Sequence, residues 1–202
     1  MSNSTASEWS QAGRSDWQSV AREAGALLAA SERIHSPEAV ATALDAMATD
    51  IRDCYGEAPL HALSVMNGGF YPCAELLQRL RNPMYVDYLH ATRYRGGTRG
   101  AELIWKVAPP ADLAGRDVLI VDDILDEGHT LQEIVEAVRA GEPASVRVAV
   151  LLRKEHGRCV DERLADFVGL RVPDRYVFGC GMDVHGFWRQ LPEVRALKAG
   201  AA

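Results

Sequence analysis

The four cysteines, Cys54, Cys73, Cys159 and Cys180, form no CxxC pair and show no cysteine–histidine spacing suited to a metal. Scattered in this way they fit thiols in a reducing compartment better than a disulfide framework. No apolar run approaches the roughly 20 residues that cross a bilayer as a helix. Residues Met1 to Gly13 are polar and rich in Ser and Ala, without the apolar centre of a secretory signal. Positive charge is also short, since 22 Lys and Arg stand against 28 Asp and Glu for a formal net charge of −6. That balance speaks against broad nucleic-acid binding, which needs clustered Lys and Arg. Two nucleotide-binding signatures are missing as well, the GxxxxGK run of P-loops and the GxGxxG of dinucleotide folds. The expectation is a cytoplasmic protein with neither a membrane nor a nucleic-acid partner.

What is there is enough for one core. With 202 residues, 48% of them hydrophobic, the chain can fold as one domain. Residues 1–15 lack periodicity and are expected to be a disordered tail, leaving 16–202 as the domain with a helical extension at its N-terminus. Asp16 is a candidate cap for a helix with Trp17, Val20, Ala24 and Leu27 on one face. Ser36-Pro37-Glu38 is a stronger helix start, with a capping hydroxyl followed by proline. Apolar runs of strand length follow at His61–Met66, Met84–Leu89, Glu102–Val107, Val118–Val121, Val146–Leu152, Asp166–Leu170 and Tyr176–Phe178, several of them separated by helical patterns. Alternation of this kind predicts an α/β fold with a parallel-sheet core flanked by helices.

The densest chemistry lies in Val118-Leu-Ile-Val-Asp-Asp-Ile-Leu-Asp-Glu-Gly-His-Thr130. Four apolar residues run into Asp122 and Asp123, a third acid follows at Asp126, and Leu131, Ile134, Val135 and Val138 then repeat at helical spacing. Buried strand, acidic edge, tight turn and helix N-terminus together form the place where α/β proteins hold anionic ligands. Adjacent acids on an extended chain point to opposite sides, so the two need not share one task. One can meet a ligand hydroxyl or Mg2+, a hard cation that prefers oxygen, and the other can hold local structure. Asn67-Gly68-Gly69, directly after a strand, would let backbone N–H groups approach a ligand, although a tight turn without a ligand is equally open. Thr92–Gly100 is polar, glycine-rich and carries Arg93, Arg95 and Arg99. It suits a mobile lid over an anion, with a solvated connection between two strands as the simpler alternative.

The stretch Val118–Thr130 closely resembles the ribose-phosphate signature of the type I phosphoribosyltransferases. Three further motifs stand in the same order: the Gly68-Gly69 turn, Lys154 after its strand, and Pro173-Asp-Arg-Tyr-Val-Phe-Gly179 leading to Asp183. Together they make the chain, from about His61 to Arg189, similar to the 6-oxopurine branch of that family. The resemblance implies a parallel-sheet core with a small hood formed by the terminal segments. It implies transfer of a phosphoribosyl group from phosphoribosyl pyrophosphate to hypoxanthine or guanine, with Mg2+ as cofactor and a homodimeric or homotetrameric assembly.

Carried over by position, the resemblance implies that Asp122 and Asp123 meet the ribose hydroxyls directly or through Mg2+. Asp126 would be the general base near purine N7. Glu127, Gly128, His129 and Thr130 complete the loop around the 5′-phosphate. Asn67 and Gly68 match the pyrophosphate loop, where the family tends to have a cis peptide bond. Lys154 would donate to the 6-oxo group, Tyr176 would stack on the base, and Val177 would read its edge. Asp183 matches a carboxylate at a second Mg2+, Arg189 an arginine on pyrophosphate, and Arg93 and Tyr94 lid positions. Two residues depart from the pattern. Glu127 replaces a usual Ser or Thr, so it would repel phosphate unless it faces solvent or a cation, and Arg93 replaces a usual serine. His129, His156 and His185 have no zinc spacing and are expected to act neither as metal ligands nor as bases. A regulatory RNA-binding protein on the same scaffold would need a basic surface patch, against which the acidic balance and the complete site speak; a preference for xanthine over guanine is not resolved by these residues.

Overall fold

Apolar runs that cannot face water lie where both sheet faces are covered. The computed structural model describes residues 14–93, 103–198 and 200. Its larger sheet has six strands in the order β4-β3-β2-β5-β6-β7. Strands β2 (Leu60–Val65), β3 (Met84–Arg93), β5 (Asp117–Leu125), β6 (Ser145–Glu155) and β7 (Phe167–Pro173) run parallel, and β4 (Leu103–Val107) adds an antiparallel edge. Strand β2 is buried at every position, as a central parallel strand must be.

Side chains of β5 alternate between two cores. Leu119 and Val121 join the cluster under helices α2 (Pro37–Tyr55) and α3 (Phe70–Arg79), which includes Leu44, Met47, Ile51 and Leu76. Val118 and Ile120 join the cluster under helix α4 (His129–Arg139), with Leu131, Ile134, Val135 and Val138. The helix start read at Ser36 is present, with Ser36 Oγ accepting from the Ala39 N–H at 3.2 Å. No described helix is long and apolar enough to cross a membrane.

The terminal segments form a second sheet of three antiparallel strands, β1 (Ser31–His35), β9 (Val194–Leu197) and β8 (Val177–Phe178). This is the expected hood. Helix α1 (Arg14–Ala29) docks beneath it: Leu27 and Leu28 pack on the cluster of Phe178, Val184 and Leu197, and Trp188 Nε1 donates to the Ala24 carbonyl at 2.8 Å.

Some boundaries differ from expectation. Helix α1 begins at Arg14, so Asp16 lies in its first turn and is not its cap. Strand β5 does not end at Val121 but carries both acids on to Leu125, and β6 includes Lys154 instead of stopping before it. Tyr176 precedes β8. Strands β1 and β9 were not legible as strands. Most of the proposed lid, including Tyr94, lies outside the described residues, as does the tail up to residue 13.

Candidate active site

Strands β2, β5 and β6 end at one rim of the sheet, the usual place for a ligand in an open parallel fold. Because β5 stays extended through the acids, Asp122 continues the side of Val118 and Ile120 and Asp123 the side of Leu119 and Val121. The two carboxylates therefore open onto different cavities. Asp122 Oδ1 accepts from the Asp123 N–H at 2.9 Å. Burial, and for Asp122 the neighbouring carboxylate, push both acids above the usual carboxylate range. Asp123 lies against the turn after β2: a Cβ on Gly68 would fall 1.6 Å from its Oδ2. The Met66–Asn67 peptide bond in that turn is cis, as the resemblance implied.

On the Asp122 side is a cavity of about 290 Å³, lined by Arg93, Asp122 and residues 124–131. Gly128 stands before α4 with φ +85°, a left-handed conformation that suits glycine, and no side chain caps the helix. The first amides of α4 are thus left to a ligand, and the helix dipole favours an anion there. Arg93 reaches this cavity from the end of β3; its Nε donates to Thr130 Oγ1 at 3.0 Å and its guanidinium pairs with Glu133. The serine-to-arginine departure thus adds a cation to the cavity wall. Glu127 resolves in the same way. Its carboxylate is exposed and stands 3.6 Å from Arg158, which is itself held by both oxygens of Asp174 at 2.8 and 2.9 Å.

On the Asp123 side a cavity of about 180 Å³ is lined by Asp123, Ile124, Asp126, Lys154, Tyr176, Val177, Met182 and Asp183. Lys154 Nζ donates to Asp126 Oδ2 at 2.6 Å. His156 Nε2 lies 2.6 Å from the other oxygen, Oδ1, and the Arg158 N–H donates to His156 Nδ1 at 3.1 Å. Burial pushes the Asp126 carboxyl up, but the hydrogen bonds from Lys154 and His156 outweigh it and hold the group below its ordinary value. Tyr176 is not core. The residue is 48% exposed and its hydroxyl donates to the Asp183 carbonyl at 3.2 Å.

The segment after β8 closes this side. Gly179, Cys180, Gly181, His185, Gly186 and Trp188 all have positive φ, a tightly wound turn held partly by glycine. A Cβ on Gly181 would fall 2.0 Å from the Gly68 carbonyl, so the two turns are in close contact. Arg189 donates to the Gly181 carbonyl at 2.7 Å and pairs with Asp183, whose Oδ2 also accepts from the Gly186 N–H at 2.7 Å.

The described candidates from all four motifs thus meet at one rim. His156, thirty positions from Asp126, was missed; spacing gave no signal because the contact is made by neighbouring strands. Among the described residues no three His, Cys, Asp or Glu side chains gather tightly enough to hold a metal unaided.

Comparison with known proteins follows the same lines. The sequence model of the family described as "Phosphoribosyl transferase domain" matches residues 30–185. The hypoxanthine-guanine phosphoribosyltransferase of Staphylococcus epidermidis is 32% identical over 76% of this chain and 86% of its own. That of Aquifex aeolicus is 34% identical over 73% of this chain and 84% of its own. Among solved structures, a hypoxanthine phosphoribosyltransferase from Staphylococcus aureus superposes with a TM-score of 0.77 at 27% identity, over 83% of this chain and 91% of that one.

Proposed function

The chain belongs to the phosphoribosyltransferase family, and from that membership we propose that it is a purine-salvage enzyme, joining hypoxanthine or guanine to phosphoribosyl pyrophosphate to give IMP or GMP and pyrophosphate. The observation that carries the choice of base is Lys154 paired with Asp126 in a cavity walled by Tyr176 and Val177, next to a helix N-terminus suited to phosphate.

In this reading the 5′-phosphate takes the amides of residues 127–130 and the Thr130 hydroxyl, with His129 and Arg93 at its edge. Asp122 and Asp123 bind the ribose hydroxyls, while Asn67, Gly68 and Arg189 meet the pyrophosphate. The base lies on Tyr176 with its edge along Val177. Lys154 leaves Asp126 for the 6-oxo group, and Asp126 Oδ2 is then free to accept the N7 proton as the ring nitrogen bonds to the ribose and the bond to pyrophosphate breaks. Charge gathers on the leaving group, where Arg189 stabilises it.

The donor set fits Mg2+ that arrives with the substrate phosphates and takes only one or two carboxylates from the protein. Asp122 and Asp123 are half-buried carboxylates whose pKa values burial raises, and Asp183, which lines the same cavity as Asp123, keeps lone pairs beyond those taken by Arg189 and the Gly186 N–H. When bound, Mg2+ would supply charge neutralisation at the pyrophosphate.

Selectivity provides the test. A 6-amino purine would place a donor against the Lys154 ammonium, which would then have no acceptor to draw it from Asp126, so Oδ2 would stay occupied; sites built on such a hydrogen bond reject the wrong group strongly. Pyrophosphate release with hypoxanthine, guanine, xanthine and adenine, with Mg2+ and with chelator, should be fast with one or more oxopurines, at least about a hundredfold slower with adenine, and lost with chelator. Adenine turnover equal to hypoxanthine turnover would refute the assignment.

The family resemblance also implies a homo-oligomer, and one surface suits it. Parallel sheets are normally covered on both faces, yet Val86 and Tyr88 on one side of β3 are 56% and 47% exposed. Trp105 packs with Leu89 in the α4-side core, so Ile104, its exposed neighbour, shares the face of Val86 and Tyr88. We place the contact between subunits there. Sedimentation should give a dimer or tetramer, and joint substitution of Val86→Lys and Tyr88→Glu should give a folded monomer; an unchanged assembly would exclude this surface.

A further inference from the structure

We propose that His156 is a positioning residue for Asp126, holding one carboxylate oxygen so that the other faces the purine. The inference rests on the enzyme reading above and adds a residue that acts without touching the substrate.

Geometry fixes its chemical state. The Arg158 backbone N–H donates to Nδ1 at 3.1 Å, so that nitrogen carries the lone pair. The proton therefore sits on Nε2, which donates to Asp126 Oδ1 at 2.6 Å. The imidazole side chain is only 4% exposed, which limits competition from water. His156 is absent from the lining of the cavity that Asp126, Lys154 and Tyr176 share, and it holds the carboxylate oxygen opposite the one bonded to Lys154.

That position separates it from Lys154. Both donate to Asp126 in the resting protein, but Lys154 must leave for the 6-oxo group when a base enters. His156 has no competing partner in the cavity and stays. Without it, a half-exposed carboxylate on a loop would lose, among the described residues, its one lasting side-chain anchor as the base arrives, and Oδ2 would sample rotamers that miss N7. A hydrogen bond to a charged group, together with the orientation it imposes, makes this a large effect for a residue outside contact distance.

The experiment compares wild type, His156→Leu and His156→Gln in steady state with hypoxanthine, phosphoribosyl pyrophosphate and Mg2+. Leucine removes the donor, whereas glutamine returns an N–H close to the position of Nε2. The Leu variant should lose about ten- to a hundredfold in kcat, with the KM for phosphoribosyl pyrophosphate within about twofold of wild type. The Gln variant should recover most of the loss. In parallel, 15N NMR of histidine-labelled wild type, which depends on no variant folding, should show His156 with a bare Nδ1 and a protonated Nε2. Leu turnover equal to wild type, a Gln variant as slow as a folded Leu variant, or the opposite tautomer would overturn the proposal while leaving the enzyme reading intact. A wild type that releases no pyrophosphate with any base would overturn both.

Discussion

Asp126→Asn should lower kcat by about a hundred- to ten-thousandfold, the range for loss of a positioned general base, while affinity for phosphoribosyl pyrophosphate changes by no more than about threefold. The carboxylate receives one donor on each oxygen, Lys154 and His156, both at 2.6 Å. An amide keeps a single acceptor and turns its NH2 toward one of those donors. It also cannot take a proton at the pH of the assay. In the resting protein Asp126 is a weaker base than an ordinary carboxylate, because the two donors outweigh its burial. In the proposed mechanism, departure of Lys154 to the 6-oxo group would remove one of them and restore basicity when the proton is to be moved. On that mechanism, binding of the purine and activation of Asp126 would be one event. Pre-steady-state measurement of product formation checks this: a slow chemical step with unchanged phosphoribosyl pyrophosphate binding is expected, and wild-type turnover in the Asn variant would remove Asp126 from the mechanism.

The parts of this site legible in the sequence are those whose neighbours in space are also neighbours along the chain. Val118–Val121 running into Asp122 and Asp123, and the glycines after β2, announce themselves because strand, turn and helix follow within a few residues. The opposite facing of the two acids followed from the two-residue period of an extended chain. The contacts that adjust the site were not legible. His156 meets Asp126 and Arg158 meets Glu127 past the ends of adjoining strands, and Arg93 at the end of β3 meets Thr130 in α4, at separations where residue type carries no signal. The hood failed for a related reason. Strand β1 is Ser-Glu-Arg-Ile-His, a charged segment with little strand character, and it forms because β9, from the other end of the chain, pairs with it. Glu127 reads as a liability in a loop expected to hold phosphate, yet its side chain turns to Arg158 and solvent.

Two adjacent glycines should fail in different ways when given one methyl group. At Gly69 the backbone is ordinary, with φ −63°, so alanine is excluded only by space. Its Cβ would fall 2.4 Å from the Val121 carbonyl oxygen and 2.7 Å from that of Val65. Both belong to central strands that cannot move without disturbing the sheet, so Gly69→Ala should destabilise the fold by about 3 kcal/mol, the upper end for overpacking, or roughly 6–12 °C in Tm for a chain of this size. At Gly68 the obstruction is instead the Asp123 carboxylate, with Oδ2 at 1.6 Å and Cγ at 2.3 Å. A side-chain rotation relieves that clash and leaves the sheet alone. Gly68→Ala should therefore melt within about 2 °C of wild type but bind phosphoribosyl pyrophosphate at least about tenfold more weakly, a loss of about 1.4 kcal/mol, because Asp123 would be turned from the proposed ribose site. Calorimetric melting and titration with phosphoribosyl pyrophosphate in the presence of Mg2+ separate the two effects. A Gly68→Ala protein with normal affinity would show that the orientation of Asp123 is not what holds the ribose, whereas a Gly69→Ala protein of normal stability would show that the strand ends yield more readily than a packed parallel sheet should.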